Sequence, residues 1–208
     1  MISSPLEGPA FVLGNGPGLP EDLSCLDGLF TIGVNRIFRA YRPTVLLWVD
    51  RSVYQEHAEA MEAAGSLMVC AKRLKQRRHH VGLQDFAGDE ALAHERDGDW
   101  RQLCCNGNTG CCAARWALAL GCSPVFLVGM GAKYIDGKTD FYGVNERHHR
   151  TAGDNGTLML MRAELNRLLR QESDDVVPVP TGKLLREFAA MASPDAGLAD
   201  RLRAALES

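Results

Sequence analysis

The feature that most constrains the fold is a short apolar run that leads directly into a glycine-rich turn. Residues 10–13 are all apolar, and the motif Gly14-Asn15-Gly16-Pro17 follows at once. Such a run, bounded by turn residues, is typical of a strand that is buried on both faces in a parallel sheet. The loop after such a strand lies at the edge of the sheet where open α/β folds bind ligands. We therefore predict an α/β fold with a binding site around this loop.

Composition limits what else the chain can be. It has 208 residues, of which 46% are hydrophobic and 24% charged, and its formal net charge is −3. This length supports one hydrophobic core, so we predict a single nucleotide-binding domain over residues 1–208. No apolar run is long enough to span a membrane, and residues 1–9 lack the basic and apolar regions of a signal peptide. We therefore expect a cytoplasmic protein, and the sequence leaves a homo-oligomer open.

Apolar runs of the same kind recur and alternate with segments of helical period. The predicted strands are 10–13, 30–34, 45–49, 67–70, 124–131 and 175–179, and the predicted helices are 20–28, 52–64, 111–120, 157–170, 184–191 and 198–206. This alternation predicts a Rossmann-like, mostly parallel sheet with helices on both faces. Residues 72–104 have no clear period, and we expect them to form a lid-like loop region over the site.

Polar residues follow the first three predicted strands. The glycines of the first loop can take positive φ and offer N–H groups to an anion, and Asn15 adds an amide. Asn35 follows the second strand and Asp50 the third, so we expect all of them at one edge of the sheet. Asp50 is interpreted either as a contact to a ribose, a metal or an acceptor hydroxyl, or as the cap of the next helix. The alternative interpretation of the first loop is a tight turn without a ligand.

A second glycine-containing loop precedes the helix predicted at 111–120. Asn108 or Thr109 is expected to cap this helix, with Gly110 in its first turn. Free N–H groups and the positive end of the dipole make such a helix start a candidate anion site. Two such loops at one edge of a sheet suit a nucleotide.

Two clusters of chemically distinctive residues invite further interpretations. The segment 72–80 is basic and is a candidate contact to DNA or to substrate phosphates, or only a solvated surface. Its cations are Lys72, Arg73, Lys75, Arg77 and Arg78. Among seven cysteines, four crowd together at 104, 105, 111 and 112, but their spacing differs from that of structural zinc sites. We expect buried, reduced thiols and no metal.

The segment 140–150 is polar, aromatic and titratable. Histidine works as an acid or base near neutral pH, so His148 and His149 are candidate catalytic residues, against the alternative of simple exposure. Tyr142 lies in the same segment, and Tyr134 lies in the loop after the strand at 124–131.

The order of these motifs resembles that of a known superfamily. It contains the bacterial (Campylobacter-type) sialyltransferases and the hydroxymethylpterin diphosphokinase-like (MptE-like) proteins, and it is often found in phage and surface-polysaccharide contexts. The motifs are Gly14-Asn15-Gly16-Pro17, Gly33-Val34-Asn35, Trp48-Val49-Asp50, Asn108-Thr109-Gly110, Leu127-Val128-Gly129 and Phe141-Tyr142-Gly143. They extend the resemblance over roughly residues 11–188.

The resemblance implies a nucleotide-sugar-dependent glycosyltransferase that moves a sugar to a hydroxyl of a glycan or of a modified nucleic-acid base. It implies that Asn15, Gly16, Asn35, Thr109 and Gly110 hold a CMP- or UDP-type donor, with Mg²⁺ optional.

The resemblance also implies roles in the reaction. Tyr134 and Tyr142 would bind the departing phosphate, and His148 or His149 would take the acceptor proton, with Asp50 the next candidate. Two alternatives remain open: a Mg²⁺-dependent pyrophosphokinase with Asp50 on the metal, and a nucleotide-binding module without catalysis.

Overall fold

The predicted apolar runs form strands of one sheet. A computed structural model describes residue 6 and the ranges 8–49, 51–70, 80–82, 108–131, 138, 141–142 and 155–192. Seven strands lie in these ranges: β1 Ala10–Leu13, β2 Thr31–Val34, β3 Val45–Trp48, β4 Leu67–Cys70, β5 His80–Gly82, β6 Val125–Val128 and β7 Val176–Val179.

The sheet is parallel at every described pairing, in the order β5-β4-β3-β2-β1-β6-β7. The chain builds outward from β1 to β5 on one side and then returns to the other side of β1 as β6. The order of strands therefore reverses between β1 and β6, which is the place where open α/β sheets bind ligands at the carboxyl ends of their strands. The predicted fold class is confirmed.

Helices cover both faces of the sheet, as predicted. They are α1 Arg51–Ala63, α2 Thr109–Ala119, α3 Asn155–Gln171 and α4 Gly182–Met191. Alternate strand residues face opposite layers, so Val12 packs in the core under α2 and α3, whereas Phe11 packs in the core under α1 and α4. Cys111 and Cys112 are fully buried in the first of these cores, where they act as small apolar residues.

The helix predicted at 20–28 is wrong. The chain there forms only a 3-10 turn, Ser24–Leu26, and a second such turn, Ile37–Arg39, follows β2. The Asp22 carboxylate accepts hydrogen bonds from the backbone N–H and the hydroxyl of Ser24 at 3.0 and 2.7 Å. These local bonds turn the chain before a regular helix begins, and Gly28 then adopts a φ of 81°.

The predicted lid region contains one described element, the short edge strand β5 beside β4. The rest of 72–104, including all five basic residues of that segment, lies outside the described residues, as do Asp50, Tyr134, His148 and His149. No helix in the described part of the chain combines the length and the apolar character needed to cross a membrane.

Candidate functional site

The loops after β1 and β6 are hydrogen-bonded to each other at the reversal point of the sheet. The N–H of Gly14 donates to the carbonyl of Val128, and the N–H of Gly16 donates to the carbonyl of Gly129, both at 2.8 Å. The prediction that these two glycine N–H groups bind an anion is therefore wrong, because each already has an acceptor within the protein.

Close packing against the loop after β6 explains why glycine occupies positions 14 and 16 of the first loop. A positive φ does not explain it. A Cβ on Gly14 would lie 2.7 Å from the Gly129 carbonyl oxygen, and a Cβ on Gly16 would lie 2.5 Å from the same atom. The positive φ that the sequence predicted for this loop instead occurs across the contact, at Gly129, with a value of 66°. A Cβ on Gly18 would meet nothing within 4 Å.

Asn15 joins this loop to β2 and leaves one polar atom unused. Its Nδ2 donates to the carbonyl of Val34 at 2.8 Å. Because a carbonyl can only accept, this bond fixes the orientation of the amide. The Oδ1 atom is buried and has no hydrogen-bond partner among the described residues.

Asn35 occupies the matching position after β2. Its φ of 51° places it in the left-handed region, which asparagine tolerates better than most residues. Its N–H donates to the carbonyl of Leu47 at 3.0 Å, and its Nδ2 lies 3.5 Å from the Thr109 hydroxyl. Within the described ranges, its buried Oδ1 also has no partner. The structure thus brings together Asn35 and Thr109, and bonds Asn15 to the residue before Asn35.

The first turn of α2 is closed by Asn108. Its Oδ1 accepts from the N–H of Cys111 at 3.2 Å, and its Nδ2 donates to the carbonyl of Met161 in α3 at 3.2 Å. The predicted cap is confirmed. Since both ends of the amide are used inside the protein, Asn108 serves as a link between two helices.

The Met130 side chain fills the space between the two glycine-containing loops. A Cβ on Gly110 would overlap the Sδ and Cε atoms of Met130, and a Cβ on Gly14 would lie 2.8 Å from the same sulfur. Side chains on a helix tilt toward its N-terminus, so the thioether covers the start of α2 on the side that faces β6. The anion site predicted at this helix start is covered by an apolar group on this side.

The segment Phe141–Tyr142 crosses the loops after β1 and β2. The N–H of Phe141 donates to the carbonyl of Asn15 at 2.7 Å, and the hydroxyl of Tyr142 donates to the carbonyl of Arg36 at 3.0 Å. The Arg39 guanidinium lies 4.8 Å from the centre of the Tyr142 ring, and that of Arg36 lies 5.7 Å from it. A hydroxyl has one proton, so in this geometry Tyr142 does not donate to a phosphate as the resemblance implied.

Sequence reasoning missed Met130, Arg36 and Arg39 as parts of the site. A signal for the arginines was present: they follow Asn35 at a spacing that places both on one side of a 3-10 turn. Met130 has no comparable local signal, because its contacts are to glycines elsewhere in the chain.

The asparagines of the arrangement leave two acceptors unused. Two amide oxygens lie buried without a partner among the described residues, and leaving such an oxygen unpaired costs roughly 1–3 kcal/mol each. A ligand that carries hydroxyl or amino donors would recover this cost. No group of three or more His, Cys, Asp or Glu in the described part of the chain is placed to hold a metal ion.

The solved structures with a similar fold include three of bacterial sialyltransferases. No family model and no curated protein matches the sequence. The sialyltransferase CstII from Campylobacter jejuni with the substrate analogue CMP-3FNeuAc is 15% identical, with a TM-score of 0.47 over 86% of this chain and 84% of that one. CstII with cytidine-5'-monophosphate is 16% identical, with a TM-score of 0.41 over 86% and 83%. The sialyltransferase CST-II with a trisaccharide acceptor and CMP is 15% identical, with a TM-score of 0.45 over 89% and 86%.

Proposed function

We propose that this protein is a nucleotide-sugar-dependent glycosyltransferase whose donor binds at the carboxyl edge of the sheet. The proposed binding site rests on two buried oxygens, Asn15 Oδ1 and Asn35 Oδ1. Neither has a hydrogen-bond partner among the described residues. They follow β1 and β2, next to the reversal of strand order between β1 and β6, where α/β sheets bind nucleotides. Ribose hydroxyls and the amino groups of bases are donors that these oxygens would accept.

The transfer step is supported by the order of motifs in the sequence. In this step the bond between the anomeric carbon and the phosphate oxygen breaks, and the anomeric carbon bonds to the acceptor oxygen. The nucleotide leaves with the bonding electron pair, and the acceptor proton goes to a general base. We assign the role of general base to His148 or His149. We assign to Tyr134 the hydrogen bond to the departing phosphate. Tyr142 instead holds the Arg36 carbonyl.

Nucleotide release from a panel of CMP- and UDP-sugars tests the proposal. The acceptors are an oligosaccharide and a DNA duplex with hydroxymethylated bases, the two predicted classes, and released nucleotide is measured by chromatography. We expect release from one donor class, dependent on an acceptor and unchanged by EDTA. AMP released from ATP in a reaction that EDTA abolishes, with no release from either class of sugar donor, favours the pyrophosphokinase alternative, and binding without release favours a non-catalytic module. The absence of both binding and release contradicts the proposal.

Two adjacent substitutions test the general base. Of the variants His148→Gln and His149→Gln, the one that removes the general base should lower kcat by about 10²–10⁴-fold, the usual contribution of such a base. The other change is its matched control, because it replaces the same side chain one position away. Donor affinity should stay constant in both. If kcat is unchanged in both variants, the base is a different residue.

A further inference from the structure

We propose that Arg36 and Arg39, positioned by Tyr142, form the subsite for the phosphate of the bound nucleotide. The nucleoside then lies against Asn15 and Asn35, and the phosphate extends toward the 3-10 turn after β2. This inference rests on the proposed function and adds the direction in which the nucleotide lies. It differs from the usual arrangement in such folds, in which the phosphate lies at a glycine-rich loop or a helix start.

Groups of the protein itself contact both of the usual phosphate positions. The N–H groups of Gly14 and Gly16 donate to carbonyls of the β6 segment. At α2, the N–H of Cys111 is bonded to the Asn108 side chain, and Met130 lies against Gly110. An anion at either place would have to displace a hydrogen bond or a packed apolar side chain.

The two asparagine oxygens exclude a phosphate from their own surroundings. An amide oxygen is only an acceptor, and so are the oxygens of an ionised phosphate. Placing them together brings lone pairs into contact without a proton between them. The buried Asn15 Oδ1 and Asn35 Oδ1 therefore select the part of a nucleotide that carries donors, which is its nucleoside.

Two cationic residues follow this acceptor pair in the chain and share one aromatic contact. Arg36 follows Asn35 in the chain, and Arg39 ends the 3-10 turn. Both guanidinium groups lie over the ring of Tyr142, at 5.7 and 4.8 Å from its centre. Both charges would attract a phosphate bound beside this ring. Guanidinium groups also match the geometry of phosphate oxygens.

Tyr142 is the positioning residue of this subsite. Its hydroxyl donates to the carbonyl of Arg36, and its ring face supports the guanidinium of Arg39. The neighbouring Phe141 is bonded through its N–H to the carbonyl of Asn15. The segment Phe141–Tyr142 therefore contacts both the arginine pair and the loop that carries Asn15.

The test compares nucleosides with their 5'-monophosphates for all four common bases by isothermal titration calorimetry. The variant is Arg39→Gln, which removes the charge of an exposed side chain. Arg42→Gln is the matched control, because Arg42 is also exposed but bonds to the carbonyl of Gly65. In Arg39→Gln we expect the preferred monophosphate to lose about tenfold in affinity, the worth of one charge-assisted hydrogen bond, with nucleoside affinity unchanged.

Three further readouts make the inference falsifiable. Arg39→Lys should keep part of the monophosphate affinity, and the salt dependence of monophosphate binding should weaken in Arg39→Gln alone. Monophosphate affinity equal to wild type in Arg39→Gln overturns the subsite while leaving the proposed function standing. An equal loss for nucleoside and monophosphate also overturns it, because Arg39 then does not act on the phosphate. If wild-type protein binds neither ligand, both proposals are overturned.

Discussion

Asn35 is constrained both by its backbone and by its side chain. Its φ of 51° favours asparagine or glycine, and its Oδ1 is one of the two buried oxygens assigned to the nucleoside. Two substitutions at this position separate these constraints, since glycine removes the amide while fitting the backbone, and alanine removes the amide and adds strain.

We predict that Asn35→Gly lowers nucleotide affinity without lowering the melting temperature. Asn35→Ala should lower affinity to the same extent and also destabilise the protein by about 1 kcal/mol, the cost of a left-handed alanine. Calorimetric titration and thermal unfolding measure the two effects. Asn166→Ala, on the exposed surface of α3, is the control for removal of an asparagine amide. Nucleotide affinity that survives Asn35→Gly would contradict the role given to this residue.

Gly16 and Gly18 should respond differently to the same substitution. In Gly16→Ala the new methyl group meets the Gly129 carbonyl oxygen at 2.5 Å, so backbone must move. We expect a loss of about 1–3 kcal/mol in the free energy of unfolding, typical of overpacking. In Gly18→Ala the methyl group enters open space, and the change should stay within about 0.5 kcal/mol. Urea denaturation measures both variants, and equal losses would refute the packing explanation.

Among the elements, α2 connects the site to the rest of the molecule. Its N-terminus lies beside Asn35, and its cap residue Asn108 is bonded to α3. The helix is buried along most of its length, with Cys111, Trp116 and Ala117 fully inaccessible to solvent. A change at the cap should therefore affect both helices.

We predict that Asn108→Ala destabilises the protein by about 2 kcal/mol, because it removes a cap and a second hydrogen bond at roughly 1 kcal/mol each. Asn108→Ser keeps a capping oxygen and should lose about half as much. Thr181→Ala at the start of α4 is the matched control. The Thr181 hydroxyl accepts one described hydrogen bond, from the N–H of Leu184 at 3.3 Å. Its loss should therefore lower the free energy of unfolding by about 1 kcal/mol. Chemical denaturation gives the three values, and a loss for Asn108→Ala no greater than that for Thr181→Ala would show that the bond to α3 contributes nothing.

Strands and site residues were predictable from the sequence to different degrees. Strands such as β1 and β6 follow from runs of apolar residues, because a strand buried on both faces needs them. β5 contains a single apolar residue, Val81, and exists through its pairing with β4. Asn15, Asn35 and Thr109 could be assigned to one edge from strand order alone. Met130 and Arg39 could not, because their positions depend on contacts between loops that are far apart in the chain.

At the scale of the whole molecule, the buried thiols couple stability to alkaline pH. Cys122 is 2% exposed, and burial raises its pKa from 9.0 to about 12. Burial, followed by the charge of Glu164, raises the pKa of Cys111 to about 12 as well. Between pH 9 and pH 12 the unfolded chain releases these protons while the folded chain retains them. The folded state binds more protons there, so the free energy of unfolding falls as pH rises and is unaffected below pH 9.

We predict that Cys122→Ala weakens this pH dependence. Between pH 8 and about pH 10.5, the wild-type protein should lose about 2 kcal/mol more than the variant, the contribution of one thiol whose ionisation is suppressed. Urea denaturation under reducing conditions at the two pH values measures the difference. Ser173→Ala, an exposed change, should behave as wild type. Parallel losses in wild type and Cys122→Ala would mean that the folded thiol ionises normally.

The contact between Met130 and Gly110 also has a consequence for the evolution of this protein. The thioether occupies the volume in which any side chain at position 110 would begin. A homologue with alanine at the position of Gly110 should therefore carry a smaller residue than methionine at the position of Met130. These two positions should change together across an alignment, so their covariation identifies the relatives that have kept the same arrangement of loops.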